Sequence, residues 1–167
     1  MARSIDYSSM SRYPADEVYA TMVDPDFLRA RLDELGGPGA RLVEHSADVD
    51  GARYRLRHGL DNAVLPPMVQ KLVAGDLVIE RTETLRRHTI GRYGGDVGVQ
   101  ILGTPVTASG VIRLADLDDA GSEMVIRADV TVRVPLIGGR IEEVIAENVR
   151  LLLAAETEFT MRWLDGR

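Results

Sequence analysis

The sequence contains no cysteine, which excludes a disulfide framework, a thiol nucleophile and any metal site built on thiolate ligands. Lysine is almost absent as well, since Lys71 is the only lysine among the 20 basic residues. The 26 acidic residues give the chain a formal net charge of −6, and so we expect no general nucleic-acid-binding surface. No run approaches the roughly 18 apolar residues of a membrane-spanning helix, and so we expect no stable membrane insertion.

Several familiar functional motifs are also missing. The sequence has no glycine-rich dinucleotide or P-loop motif and no nucleophile elbow. The histidines at positions 45, 58 and 88 lack the spacing of a zinc-binding helix, and so we predict neither a metal nor a cofactor. The N-terminus reaches an acidic residue at Asp6 without the apolar core of a secretory signal, which favours a cytoplasmic protein.

The overall composition is typical of a soluble globular protein. Hydrophobic residues make up 45% of the chain and charged residues 28%. The length of 167 residues is close to the roughly 150 residues of one domain, and no repeat or linker interrupts the chain. We therefore predict a single domain over residues 1–167.

Hydrophobic periodicity divides the chain into a sheet flanked by helices. A first strand is predicted over residues 3–10, and two short helices begin near Pro14 and at Asp24-Pro25, where aspartate suits the cap and proline the first helical position. An alternating pattern then predicts strands over residues 40–49, 52–60, 77–87, 89–101, 105–116 and 122–134. A short inserted helix is expected near residues 66–74, and one long helix over residues 140–164. This order is an α+β pattern.

The two ends of the chain carry a family resemblance. Residues 4–7 and 13–19 resemble the first strand and helix of the START-like superfamily, also called SRPBCC or helix-grip proteins. The segment from Val134 to Glu142 and the end of the last helix at Trp163-Leu164 resemble an actinobacterial subfamily of that superfamily, a bacterial domain of unknown function. The resemblance covers nearly the whole chain.

That resemblance implies a helix-grip fold, in which a curved antiparallel sheet wraps around a long C-terminal helix and two short helices follow the first strand. A cavity lies between the sheet and the long helix. Members of the superfamily bind lipids, sterols, polyketides or plant hormones there, and a few, such as aromatase/cyclases, carry out chemistry in it. The superfamily has no universal catalytic motif, and so it assigns no catalytic residue to this chain.

Two strands supply candidate residues for the cavity wall. His58 shares the inward side of its strand with Tyr54 and Leu56, and could bond a ligand or move a proton near neutral pH. The alternative is a strand-end histidine bonded to the adjacent loop. Arg81 and Glu83 share one side of the next strand, either as a charged pair beside the cavity or, if a bulge reverses the alternation, as a solvated surface pair.

Further candidates come from the last strand, the long helix and the inserted segment. We expect Ile126 and Val130 to face the cavity, together with Asn148 and Leu152 from the apolar side of the long helix. Asn148 would point at a ligand or a cavity water, or would bond to the sheet. The apolar side of the inserted segment, which includes Met68 and Leu72, would form a lid over the cavity or a permanent plug.

The leading functional hypothesis is binding or transport of a small hydrophobic molecule, such as a lipid or polyketide-like metabolite. This hypothesis favours a binding protein over an enzyme. The first alternative is an enzyme of the cyclase, dehydratase or hydrolase type that uses the same cavity. The second is an interaction protein whose core is closed. The pattern makes no prediction of oligomeric state.

Overall fold

Seven antiparallel strands form one sheet in the computed structural model, which describes residues 2–167. The strands are β1 Ala2–Ser11, β2 Arg41–Ala47, β3 Gly51–Leu60, β4 Leu77–Thr89, β5 Arg92–Ile101, β6 Val106–Asp116 and β7 Ser122–Val132. Their order across the sheet is β1-β7-β6-β5-β4-β3-β2. The helices are α1 Ala15–Met22, α2 Pro25–Leu35, α3 Pro67–Gln70 and α4 Gly138–Asp165. The sheet curves around α4, and so the predicted helix-grip fold class is confirmed.

Helix α2 begins and ends at the signals in its sequence. The Asp24 side chain accepts a hydrogen bond from the Asp26 amide at 2.9 Å, and Pro25 occupies the first helical position. After α2 the chain passes close to the end of β3, where a Cβ on Gly59 would lie 1.7 Å from the Pro38 carbonyl oxygen. Only glycine, which has no Cβ, fits there. The close approach of the two segments fixes the position of the end of β3, which carries His58.

The alternation of β3 and β4 decides which side chains lie under α4. Tyr54 lies opposite Glu83 across the two strands, and Leu56 lies opposite Arg81. All four side chains are buried. The only register shift between β4 and β5 lies between Arg87 and Thr89, and so the first part of β4 keeps one alternation. Arg81 and Glu83 thus form an inward-facing pair rather than a surface pair.

Helix α4 was predicted correctly as an element, but its buried side is rotated from the predicted one. Leu152 and Ala155 are only half-buried, whereas Leu153 and Glu156 are buried. Neighbouring apolar residues give the helix a wide apolar surface, and contact with the sheet decides which part is covered. None of the helices within residues 2–167 is long and apolar enough to cross a membrane.

The short inserted helix expected near residues 66–74 is present between β3 and β4 as α3, a single helical turn. A short 3-10 turn at Asn62–Val64 precedes it. Met68 packs against the core group around Val130 and Ile141, whereas Leu72 is half exposed. The expectation that Leu72 faces the cavity is therefore wrong. Four helical residues are too few to present one continuous apolar side.

Candidate functional site

A small cavity lies between the sheet and α4, with a volume of about 40 Å³. Its apolar wall is formed by side chains that include Ile112, Leu114, Met124, Ile126 and Leu153. Its polar wall consists of hydroxyl-bearing side chains and a group of charged residues. The cavity exceeds the ~10–15 Å³ that one water needs, but it is far smaller than the ~300–1,000 Å³ of typical ligand pockets.

The polar wall of this cavity is centred on Arg81, which is buried between two carboxylates. Its Nε donates to Glu83 Oε1 at 2.7 Å, and its Nη1 donates to both carboxylate oxygens of Glu156 at 3.0 Å. Tyr54 completes the group by donating its hydroxyl proton to Glu83 Oε2. Strands β3 and β4 and helix α4 therefore meet in one connected network of buried polar groups.

Arg31 of α2 is the second cation of this network. Its side chain is buried, and its Nε lies 3.6 Å from Glu156 Oε2, which is an ion pair but not a hydrogen bond. The guanidinium carbon lies 5.7 Å from the centre of the Phe27 ring. The Nε and Nη2 atoms are buried and have no hydrogen-bond partner within residues 2–167. Arg31 thus supplies charge to the network, while its Nε and Nη2 atoms make no hydrogen bond with the described residues.

Histidine 58 lies beside the network in a neutral state. Burial, followed by the positive charge of Arg81, lowers the pKa of His58 to about 4. Its Nε2 atom is buried without a hydrogen-bond partner in the described part of the chain. His58 is therefore not hydrogen-bonded through Nε2 to the adjacent loop, contrary to the alternative prediction.

The protonation states of the other groups follow from their neighbours. Burial alone would raise the pKa of Glu83, but the charges of Arg81 and Arg31 outweigh it and lower the pKa. The pKa of Glu156 is lowered in the same way, with Arg31 as the larger favourable influence. Burial and the charge of Glu83 raise the pKa of Tyr54, which keeps its hydroxyl protonated. Two carboxylates and two guanidinium groups therefore balance in charge.

The cavity brings together only some of the residues predicted to line it. Arg81, Glu83 and Ile126 lie on its wall. Tyr54 and His58 lie in or beside the charged network behind that wall, and Leu56 is buried next to Tyr54 in the core under α2.

The remaining predicted residues lie away from the cavity. Val130 and Met68 belong to a separate apolar group at the start of α4. Asn148 is exposed and donates to the Val144 carbonyl oxygen one helical turn earlier, at 2.8 Å, and Leu152 is half-buried outside the cavity wall. The expectation that Asn148 and Leu152 face the cavity is therefore wrong, because the buried side of α4 is rotated toward Leu153 and Glu156.

Two central residues, Arg31 and Glu156, were missed by the reasoning from sequence. Arg31 follows Phe27 by four residues and Leu28 by three, which places it on the apolar side of α2. Glu156 follows Leu153 by three residues on α4. A charged residue within an apolar helical stripe was the available signal, since such a residue requires a buried partner of opposite charge.

Comparison with known proteins agrees with this architecture. A family model described as "Protein of unknown function (DUF2505)" matches residues 6–164. The uncharacterized protein Rv0481c of Mycobacterium tuberculosis is 28% identical over 172 residues, which cover 99% of each chain. The mycobacterial relative and the family of unknown function agree with the subfamily resemblance noted in the sequence.

Solved structures share the fold at low sequence identity. The Zhui aromatase/cyclase from Streptomyces sp. R1128 has a TM-score of 0.55 and 13% identity, covering 97% of this chain and 90% of that one. Norcoclaurine synthase from Thalictrum flavum, in complex with dopamine and hydroxybenzaldehyde, has a TM-score of 0.58 and 13% identity, covering 100% of this chain and 88% of that one. These likenesses confirm the START-like fold that the sequence resembled.

Proposed function

The chain belongs to the DUF2505 family, and we propose that it binds a small, largely apolar molecule in the cavity between the sheet and α4. The observation that carries this proposal is a charged network buried on one wall of an otherwise apolar cavity. Well-packed apolar side chains in place of a buried ion pair often leave stability unchanged or raise it. A role in binding accounts for an ion-pair network at a place that apolar side chains could have filled equally well.

The cavity must widen to admit a ligand, and its wall contains the side chains that permit this. Met22, Met124 and Met161 line it. Methionine is unbranched with three rotatable bonds, and so it adapts to occupants of different shape. Each ligand methylene moved from water into such a cavity contributes about 0.8 kcal/mol. Micromolar affinity needs about 8 kcal/mol after the cost of association is subtracted, and so the ligand must bury more than about ten carbon atoms.

The charged network favours binding over acid–base catalysis. Arg81 and Arg31 hold Glu83 and Glu156 as carboxylates, because they lower the pKa of both. His58, with its pKa near 4, stays neutral, and Tyr54 stays protonated. An efficient general acid or base has a pKa near the working pH, and none of these four groups meets that condition. The cyclase, dehydratase or hydrolase alternative therefore has less support.

A second candidate function rests on the volume of the cavity. At about 40 Å³ it is small enough to be a packing defect of a closed core. The protein would then act through its surface, as an interaction protein, and no apolar molecule would enter. This alternative and the binding proposal make opposite predictions for a hydrophobic probe.

The test is a fluorescence titration with the neutral hydrophobic probe N-phenyl-1-naphthylamine. We expect a saturable increase in fluorescence with one site per chain. Leu153→Phe places a larger side chain in the cavity wall and should weaken binding at least tenfold. Leu151→Phe is the matched control on the exposed side of α4 and should leave binding unchanged.

Thermal unfolding of both variants verifies that they fold. Absence of saturable binding by the unmodified protein would support the closed core. Equal loss of binding in the two variants would place the probe elsewhere.

A further inference from the structure

The charges beside the cavity already cancel, which restricts what a ligand can add. Arg31 and Arg81 face Glu83 and Glu156, so the buried sum is zero. His58 and Tyr54, the other titratable groups of the network, are uncharged in their favoured states. A ligand carboxylate would add a third negative charge close to Glu156. The buried group would then carry one net negative charge, which is unfavourable in apolar surroundings.

The charges beside the cavity cancel, but not every hydrogen-bond donor there has an acceptor among residues 2–167. Both Glu156 oxygens accept from Arg81, and all three nitrogens of the Arg81 guanidinium are bonded or ion-paired to carboxylates. Three hydroxyl groups of the wall, on Ser122, Thr157 and Thr160, donate to backbone carbonyl oxygens at 2.8–2.9 Å. These groups have no proton left to offer a ligand.

Among the charged side chains of this wall, Arg31 has buried donors that are not hydrogen-bonded to any described residue. Its Nε–H and one Nη2–H point in parallel from the same edge of the planar guanidinium, which makes a pair of donors suited to one oxygen or two. Neither atom has a hydrogen-bond partner within residues 2–167. The side chain is 5% exposed, and it lines the cavity.

We infer that the molecule bound in this cavity is uncharged and presents a carbonyl oxygen to the Nε–Nη2 edge of Arg31. A carbonyl oxygen has two lone pairs and can accept both protons, while it leaves the charge of the network at zero. The inference rests on the proposed function, and it excludes fatty acids and other carboxylates as preferred ligands. Hydrogen bonds to a charged donor are the stronger kind, and so the carbonyl should strengthen binding about tenfold or more.

The test compares three probes that share a naphthalene ring, measured by isothermal titration calorimetry at pH 7.5. 2-Acetylnaphthalene carries a ketone, 2-ethylnaphthalene replaces it with an apolar group, and 2-naphthoate carries a carboxylate. For the unmodified protein we expect the ketone to bind at least about tenfold more tightly than the ethyl compound, and the carboxylate to bind most weakly.

Variants assign that preference to Arg31. The double variant Arg31→Met, Glu156→Gln removes the donor pair and keeps the network neutral, so the ketone should lose its advantage over the ethyl compound. Arg29→Met is the matched control, because Arg29 is exposed on the same helix. Arg31→Lys is a second variant that retains the charge but not the parallel donors, and it should also weaken the preference.

The ketone itself supplies a readout that needs no variant. Its carbonyl stretching band in the complex should shift to lower frequency than in heptane, since a charged donor polarises the bond.

The outcomes separate this inference from the proposed function. Equal affinity for the ketone and the ethyl compound, tightest binding of the carboxylate, or an unshifted carbonyl band would overturn the inference while binding itself stands. If neither the three probes nor N-phenyl-1-naphthylamine binds saturably, the proposed function fails and the inference fails with it.

Discussion

The two halves of α4 meet the same sheet in different ways. At its N-terminal half, Ile141 and Ala146 pack against Ile5, Val130 and Val132, which form an apolar core. At its C-terminal half, Glu156 reaches Arg81 and Arg31 beside a cavity. One helix and one sheet thus provide both a conventional core and a buried electrostatic network. The first half of α4 therefore packs by apolar contact, whereas the second half also pairs buried charges, beside the cavity in which we propose that a ligand binds.

The largest expected effect on stability comes from removing one charge from the network at the C-terminal half of α4. Glu156→Gln leaves Arg31 and Arg81 facing a single carboxylate, and so we expect a loss of about 3–5 kcal/mol in the free energy of unfolding. The matched change in the apolar half, Ile141→Val, removes one methylene and should cost only about 0.5–1.5 kcal/mol. Urea denaturation of both variants measures the difference. Equal losses would show that the two halves contribute to stability in the same manner.

Mild acid should lower the free energy of unfolding through the charged network at the C-terminal half of α4. The pKa of His58 is lowered from 6.5 to about 4, so the unfolded state binds more protons between these values and stability falls as pH falls. The charges that face His58 come from Arg31 on α2, Arg81 and Glu83 on β4, and Glu156 on α4. The expected loss on going from pH 7.5 to pH 4 is about 3 kcal/mol.

The carboxylates of Glu83 and Glu156 do not lose their contribution to stability over the pH range in which His58 does. Their pKa values are lowered, so their contribution is present above the unfolded value of 4.5 and is lost only below it. His58→Gln should therefore flatten the dependence between pH 6.5 and pH 4.5. The exposed His88→Gln should leave it unchanged. Urea unfolding at a series of pH values provides the measurement, and an unaltered slope in His58→Gln would contradict the assignment.

The smallest expected effect separates the inward and outward sides of α4. Asn148 is exposed and bonds only within its own helix, so Asn148→Ala should change stability by less than about 0.5 kcal/mol. Probe affinity should not change. Thermal unfolding and the fluorescence titration test these two statements. A clear loss of probe binding would indicate that Asn148 lines the binding site and would contradict the prediction.

Local patterns predicted most of the fold because they have local causes. Asp24 and Pro25 start α2 where a cap and a first-position proline are expected, and the predicted strands lie within a few residues of the observed ones. The inward side of β3 was also predicted, because two-residue alternation leaves a single choice for Tyr54 and His58.

The candidate site was harder to predict, since its contacts join distant parts of the chain. Arg31 and Glu156 are 125 residues apart in sequence, and each reads by itself as an ordinary charged helical residue. The orientation of Arg81 and Glu83 depended on where a bulge falls in β4, and the pattern allowed either face. A wide apolar surface on α4 left Leu152 and Leu153 equally suited to burial.

The sequence by itself determined the order of the elements, the α+β class and the apolar character of the layer between sheet and helix, because propensity, capping and periodicity act over a few residues. Only the tertiary structure decided which charges meet within that layer and how much space remains beside them. A buried charge is tolerated only where packing supplies its partner, and that partner is set by the rotation of α4 and the alternation of β4 rather than by neighbours in sequence.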